Sequence, residues 1–303
     1  MPKRRPLAVG LILPMTEREM AGQTAHWTDL LAMARRAEEL GFDSVWIEDH
    51  LLFRFAGQEA QAPWECWSML AALAASTSRV ALGPLVTCTG FRNPALLAKM
   101  AGTVDEISGG RLILGLGAGW HEPEYSAFGY PFDHRVSRFE EALTIIAGLL
   151  RDGHVDVEGT YYQARDCELR PRGPRPGGPP IMIGTTGPRM LRLTATQADL
   201  WNGWARRHPA EIAVDRAQVD AACAAVGRDP ASLGRTVSVL VDLPGRAGRP
   251  SEPRPTLSGA PVELAATLRA LAHEGISHVQ LWLDPSTLAG LEAFAPVLAL
   301  LDA

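Results

Sequence analysis

Cysteine is scarce in this chain, and the four present (Cys66, Cys88, Cys167 and Cys223) show no C-x-x-C or other metal-ligating spacing. That excludes a zinc ribbon or a disulfide-built fold, and the thiols read as reduced cysteines of a cytoplasmic protein. Ligand-spaced histidines are missing too. His50 and the His121-Glu122 pair supply neither H-x-H nor H-E-x-x-H, so no metal site is expected. Positive charge is not in excess: 29 Lys and Arg stand against 34 Asp and Glu, a net charge of −5. A nucleic-acid binder relying on a basic footprint is thereby excluded. No stretch approaches the ~18 apolar residues that read as a membrane span. Met1 to Leu13 has basic residues before a short apolar run, Leu7–Leu13, with no small-residue cleavage site, and leads into Pro14 and Glu17. It is expected to be a first strand rather than a signal peptide.

What the chain does have is a hydrophobic content of 47% over 303 residues, enough for a large core, at a length where α/β barrels form one domain. It is organised around residues 108–124. There an apolar run, Arg111–Leu116, ends in Gly115, Gly117 and Gly119 and is followed by Trp120, His121 and Glu122. Such runs read as strands buried on both faces, and glycines at their carboxyl end let backbone approach a ligand closely. A tight turn above a packed strand is the plainer alternative.

Along the chain, strands and helices alternate. Strands are expected at 7–13, 43–47, 80–86, 111–116, 181–183, 198–202, 236–241 and 278–283. Helices are expected from Trp27 to a stop at Gly41, from Trp64 to Ala75, from Asn93-Pro94 to about Ile107, and over the stripe Val136, Phe139, Leu143, Ile146 and Leu150. Further helices follow from Pro188, over about 209–226, and at 262–273 and 288–301. Residues 120–133 read as a loop, 153–180 as an insertion with a small hairpin at Glu158-Gly159, and 244–255 as a Pro/Gly/Arg loop. The arginines of that last loop suit either phosphate or solvent. The count is that of a (β/α)8 TIM barrel, one domain over 1–303, with the insertion between strand 4 and strand 5.

In that fold the site lies at the carboxyl ends of the strands. This gathers Asp49, His50, Cys88, Thr89, Trp120, His121, Glu122, Gly184 to Gly187, Asn202 and Asp284 onto one face, with Trp46, Trp120 and Trp204 at the mouth. Asp49 beside His50 is expected to hold the imidazole tautomer and raise its basicity, suiting proton transfer near neutral pH; a histidine capping a loop is the structural alternative. His121 is its competitor as proton carrier. Gly184-Thr185-Thr186-Gly187 before a Pro-initiated helix offers backbone N–H groups and hydroxyls to a phosphate, or makes a simple turn. Gly115-Leu-Gly-Ala-Gly119 is not a dinucleotide fingerprint, since the spacing is GxGxG and Pro123 stands where a helix should be established.

Together these stretches resemble the bacterial luciferase-like superfamily, in particular its coenzyme F420 (deazaflavin)-dependent oxidoreductases. The matching pieces are Gly41-Phe-Asp-Ser-Val-Trp-Ile-Glu-Asp-His50, Arg92-Asn-Pro-Ala-Leu-Leu-Ala-Lys99, Ser108 to Trp120, and Pro180-Ile-Met-Ile-Gly184 with Ala198-Asp-Leu-Trp-Asn202. The resemblance implies a hydride-transferring enzyme with a flat ring over the barrel mouth, pressed by a non-proline cis peptide at Leu85–Val86. It implies His50 and Asp49 as the catalytic pair. It places the cofactor against Leu85, Val86, Cys88, Gly117, Gly119 and the phosphate loop Gly184, Thr185, Thr186 and Gly187. The substrate side would be Trp120, His121, Glu122 and Trp204. Two positions depart from the sugar-phosphate dehydrogenases of that branch: Leu51-Leu-Phe-Arg54 stands in place of a tryptophan after the histidine, and Trp120 in place of a glutamate after the glycines. The expected partners are a small-molecule substrate and a second copy in a homodimer, with neither nucleic acid nor membrane. The alternatives are an FMN-dependent monooxygenase served by a flavin reductase, and a barrel that binds without catalysis.

Overall fold

The structure is a computed structural model and describes residues 5–206, 208–245 and 256–303. Among these, eight parallel strands form the barrel: β1 (Ala8–Ile12), β2 (Ser44–Ile47), β3 (Ala81–Pro84), β4 (Leu114–Gly117), β5 (Ile181–Gly184), β6 (Leu200–Gly203), β7 (Gly234–Asp242) and β8 (His278–Asp284). Helices run between and around them: α1 (Trp27–Leu40), α2 (Cys66–Ser76), α3 (Pro94–Ser108), α4 (Glu122–Phe128), α5 (Arg135–Arg151), α6 (Pro188–Gln197), α7 (Pro209–Ala225), α8 (Pro261–His273) and α9 (Leu288–Asp302). β1 pairs with both β2 and β8, so the ends of the chain's barrel order meet. The seam between β3 and β4 is held by the Leu82–Leu112 bridge, with Ile113 N donating to Leu82 O at 2.9 Å.

The expected elements form for the reasons that predicted them. The stripe of α1 buries Leu30, Met33, Ala34 and Ala37, and the helix stops where Gly41 turns left-handed at φ 88°. Asn93 caps α3 by accepting from Ala95 N and Leu96 N at 2.9 and 3.2 Å, with Pro94 in the first turn. The hairpin strands His154–Glu158 and Gln163–Glu168 pair antiparallel between α5 and β5.

Three boundaries differ. The run 80–86 breaks at Pro84: the Leu85–Val86 peptide is cis, and a short strand, Thr87–Cys88, then pairs with β4. Arg111 is not yet strand, because its guanidinium is spent on the carbonyls of Ala74, Thr77, Val80 and Ser108, tying the foot of β4 to α2 and β3. The 120–133 loop contains α4, a helix of two turns that the prolines and glycine around it conceal. Most of the 244–255 loop lies outside the described residues. No helix among the described residues is long and apolar enough to cross a membrane.

Side chains facing the helices make the main core, from Val9 and Leu11 on β1 to Leu281 and Leu283 on β8. The barrel interior is a second cluster of Ile12, Trp46, Leu85, Met182, Leu240 and Trp282. Beneath it lies a polar layer, where Asn202 Nδ2 donates to Thr236 Oγ1 at 2.8 Å and to Gln280 Oε1 at 2.9 Å. Trp46 belongs to this interior and not to the mouth. It is fully buried, and its indole donates to Ser44 Oγ at 2.7 Å.

Candidate active site

Because the strands are parallel, the residues after each β-strand share one rim. β2 delivers Asp49 and His50 there, and their side chains turn to different hydrogen-bond partners. Asp49, 2% exposed, turns to Arg92, accepting from Nη1 at 2.6 Å and Nη2 at 3.0 Å, and from Cys88 N at 3.0 Å. Arg92 also reaches Glu65 at 2.7 Å. Asp49 thus fastens the end of β2 to the segment after the cis peptide.

The carboxylate that holds His50 is Glu124. Its Oε1 lies 2.9 Å from His50 Nδ1, and its Oε2 accepts from Leu51 N at 2.8 Å. A carboxylate there fixes the proton on Nδ1 and leaves Nε2 for exchange. Burial works against the charged imidazolium, but the hydrogen bond and charge of Glu124 outweigh it and hold the His50 pKa above its ordinary value. Glu122, the glutamate expected at the site, is exposed in the first turn of α4. Glu124 stands at the N3 position of α4, a helix hidden in what reads as a loop, so the sequence carried no signal separating it from Glu122.

His121 is pinned rather than poised. It is 5% exposed, its Nε2 accepts from Arg54 N at 3.0 Å, and burial lowers its pKa, so it stays neutral with its proton on Nδ1. Trp120, 53% exposed, meets the His50 ring edge-on at 5.6 Å between centroids. Phe53 packs against His50, tilted, at 4.5 Å between centroids.

The strand-4 glycines make room for protein, not ligand. A Cβ at Gly115 would lie 2.1 Å from Pro84 O, one at Gly117 2.7 Å from Val86 Cγ2, and one at Gly119 1.9 Å from Tyr125 Oη. The cis Leu85–Val86 segment therefore bulges over glycines, with Val86 also 3.4 Å from the same position on Gly184. The Cys88 side chain turns away from the rim: Sγ lies 2.8 Å from Tyr125 Oη, and burial pushes the thiol up to about 12.

On the far side of Val86, Thr185 N donates to Asn202 O at 3.2 Å, and Gly187 is the N-cap of α6 without a side-chain cap. A Cβ on Gly187 would meet nothing within 4 Å, so the first turn of α6 opens on free space. Trp204, after β6, packs on Trp282 at 6.1 Å. The structure thus brings His50, Leu85, Val86, Trp120, Trp204 and the Gly184–Gly187 loop to one rim. Asp49, Cys88, Gly117, Gly119 and His121 stand behind that rim as its supports.

Known proteins are similar to this chain in sequence and in fold. The chain is 37% identical over 194 residues to a 5,10-methylenetetrahydromethanopterin reductase of Archaeoglobus fulgidus, covering 63% of this chain and 53% of that one. It is 36% identical over 176 residues to an F420-dependent glucose-6-phosphate dehydrogenase of Amycolatopsis mediterranei, covering 56% and 51%. The chain spans about half the length of the curated relatives it matches. Among solved structures, an F420-dependent secondary alcohol dehydrogenase in complex with an F420-acetone adduct superposes with a TM-score of 0.81, over 96% of this chain and 98% of that one, at 19% identity. A riboflavin lyase with modified FMN superposes equally well, at 0.81 over 97% and 91% and 15% identity. At such identities the likeness is one of fold. Residues 7–243 match the family described as luciferase-like monooxygenase, and the chain belongs to that family.

Proposed function

We propose that this chain is an oxidoreductase passing a hydride between coenzyme F420 and a small organic substrate, with His50 handling the accompanying proton at Nε2. The observation that carries the reading is His50 itself: an imidazole at the rim, its Nδ1 committed to the buried Glu124, its pKa raised, and the cis Leu85–Val86 segment beside the same rim. The sequence relative named for F420 supports that choice of cofactor.

The residues present fit such a group. Leu85, Val86 and Trp282, backed by the buried Met182 and Leu240, give an apolar surface suited to a flat ring. The uncapped N-terminus of α6 at Gly187, beside the Thr185 and Thr186 hydroxyls, suits its anionic tail. F420 supplies two-electron hydride chemistry when bound. The protein's part is to seat the ring, exclude water with Trp120 and Trp204, and give or take a proton through His50.

The test is titration of the purified protein with F420 and, separately, FMN, followed by ring absorbance. Micromolar or tighter F420 binding with weaker FMN binding is expected. Stoichiometric FMN carried through purification, with no F420 binding, would replace this reading with the FMN-dependent monooxygenase; binding of neither would favour a non-catalytic barrel.

A further inference from the structure

The loop after His50 is built with unusual care for a segment that ends in exposed rings. Leu51 N donates to Glu124 Oε2, Arg54 N donates to His121 Nε2, and Phe53 exchanges backbone hydrogen bonds with Gln61 at 2.7 and 3.0 Å. Both acceptor side chains are buried, at 1% and 5% exposure. What they hold still is Phe53 and Phe55, whose rings stack 12° from parallel at 6.1 Å. Phe55 continues onto Trp120 at 6.4 Å and 22°. Phe55 and Trp120 remain 38% and 53% exposed, and Trp120 touches His50.

Exposed aromatic rings on a loose loop would carry no argument. Rings fixed by buried polar groups are preorganised surface, and a surface continuous with a proton-handling histidine is a substrate wall. We infer that Phe55 and Trp120 form a stacking platform selecting a flat apolar substrate, an aromatic or conjugated carbonyl compound or the corresponding alcohol, rather than a sugar phosphate. An aromatic ring laid offset on these faces places a conjugated carbonyl toward His50 Nε2, where a proton is given as hydride arrives at the carbonyl carbon, or removed in the reverse direction. This inference rests on the proposed F420-dependent reading for its chemistry, but not for its binding.

The experiment measures calorimetric binding of 2-acetylnaphthalene, acetone and glucose 6-phosphate to the protein with and without F420. Acetylnaphthalene is expected to bind at least tenfold tighter than either other probe. Trp120→Ala and Phe55→Ala should each weaken it about tenfold, Trp120→Phe should largely restore it, and Phe55→Ala should change F420 affinity less than twofold. Both rings are exposed, so the variants are expected to fold, which circular dichroism checks. Unchanged acetylnaphthalene binding in Trp120→Ala, or tighter binding of glucose 6-phosphate, overturns the inference. So does loss of F420 binding in Phe55→Ala, which would give the rings to the cofactor, or loss of a dimer by sedimentation, which would give them to a second copy. If wild type binds acetylnaphthalene but not F420, the platform stands and the cofactor reading falls.

Discussion

At the scale of the residue, the two members of the Asp49-His50 dipeptide do different work, and substitution separates them. His50→Ala should lower turnover a hundredfold or more, on the order of 10²–10⁴ for a positioned general acid or base, with F420 affinity little changed. Asp49→Ala should instead lower stability by about 3 kcal/mol, because it strips a buried partner from Arg92, which keeps only the half-exposed Glu65. Chemical denaturation read alongside kinetics tells the two apart; an Asp49→Ala protein of wild-type stability would contradict the assignment. Glu124→Gln keeps an acceptor for His50 Nδ1 but removes the charge, so the imidazole should titrate lower than in wild type, as followed by NMR of the His50 ring. A His50 pKa held above 6.5 stabilises the fold below that pH, and this stabilisation is lost as pH rises through the raised value. The variant should lack that loss.

At the scale of the element, the glycines fall into two kinds that look alike on paper. Gly115 lies in β4 with a neighbouring carbonyl oxygen 2.1 Å from where a Cβ would sit, so Gly115→Ala should destabilise by ~2 kcal/mol or more and disturb the Leu85–Val86 segment. Gly187 opens α6 onto empty space at φ −76°, so Gly187→Ala should be tolerated. Gly187→Asp should weaken F420 binding by about tenfold or more through like-charge repulsion, leaving thermal stability near wild type. F420 titration paired with thermal melts measures both, and undiminished affinity in Gly187→Asp would move the anionic tail elsewhere.

At the scale of the whole molecule, the barrel interior carries a histidine that makes the fold sensitive to acid. Trp46 Nε1 donates to Ser44 Oγ, and the same oxygen lies 2.7 Å from His278 Nε2. Burial away from water disfavours the charged ring of His278 and lowers its pKa from 6.5 to about 4. The unfolded chain therefore binds the extra proton first: stability is present above 6.5 and is lost as pH falls toward about 4. The loss assigned to this group is roughly 3 kcal/mol at its lower limit. His278→Gln should flatten the pH dependence of urea unfolding across this window relative to wild type; an identical slope would place the acid sensitivity in other groups.

The order of strands and helices, the barrel, the caps at Gly41 and Asn93, and the gathering of strand ends at one rim were all legible in the sequence. Each rests on a local period or a local cap, which neighbouring residues determine among themselves. His50 was singled out by its place beside Asp49 after a strand end; the cis peptide came from resemblance, and the structure has it at Leu85–Val86. What the sequence misassigned were contacts across the barrel. Asp49 is one residue from His50, yet successive residues after a strand point apart, and the imidazole's partner is Glu124, 74 positions on. The glycines of β4 advertise close approach but not what approaches, which is Pro84, Val86 and Tyr125. Closure of the barrel brings β2, β3 and α4 together, and only that closure decides which carboxylate meets which base.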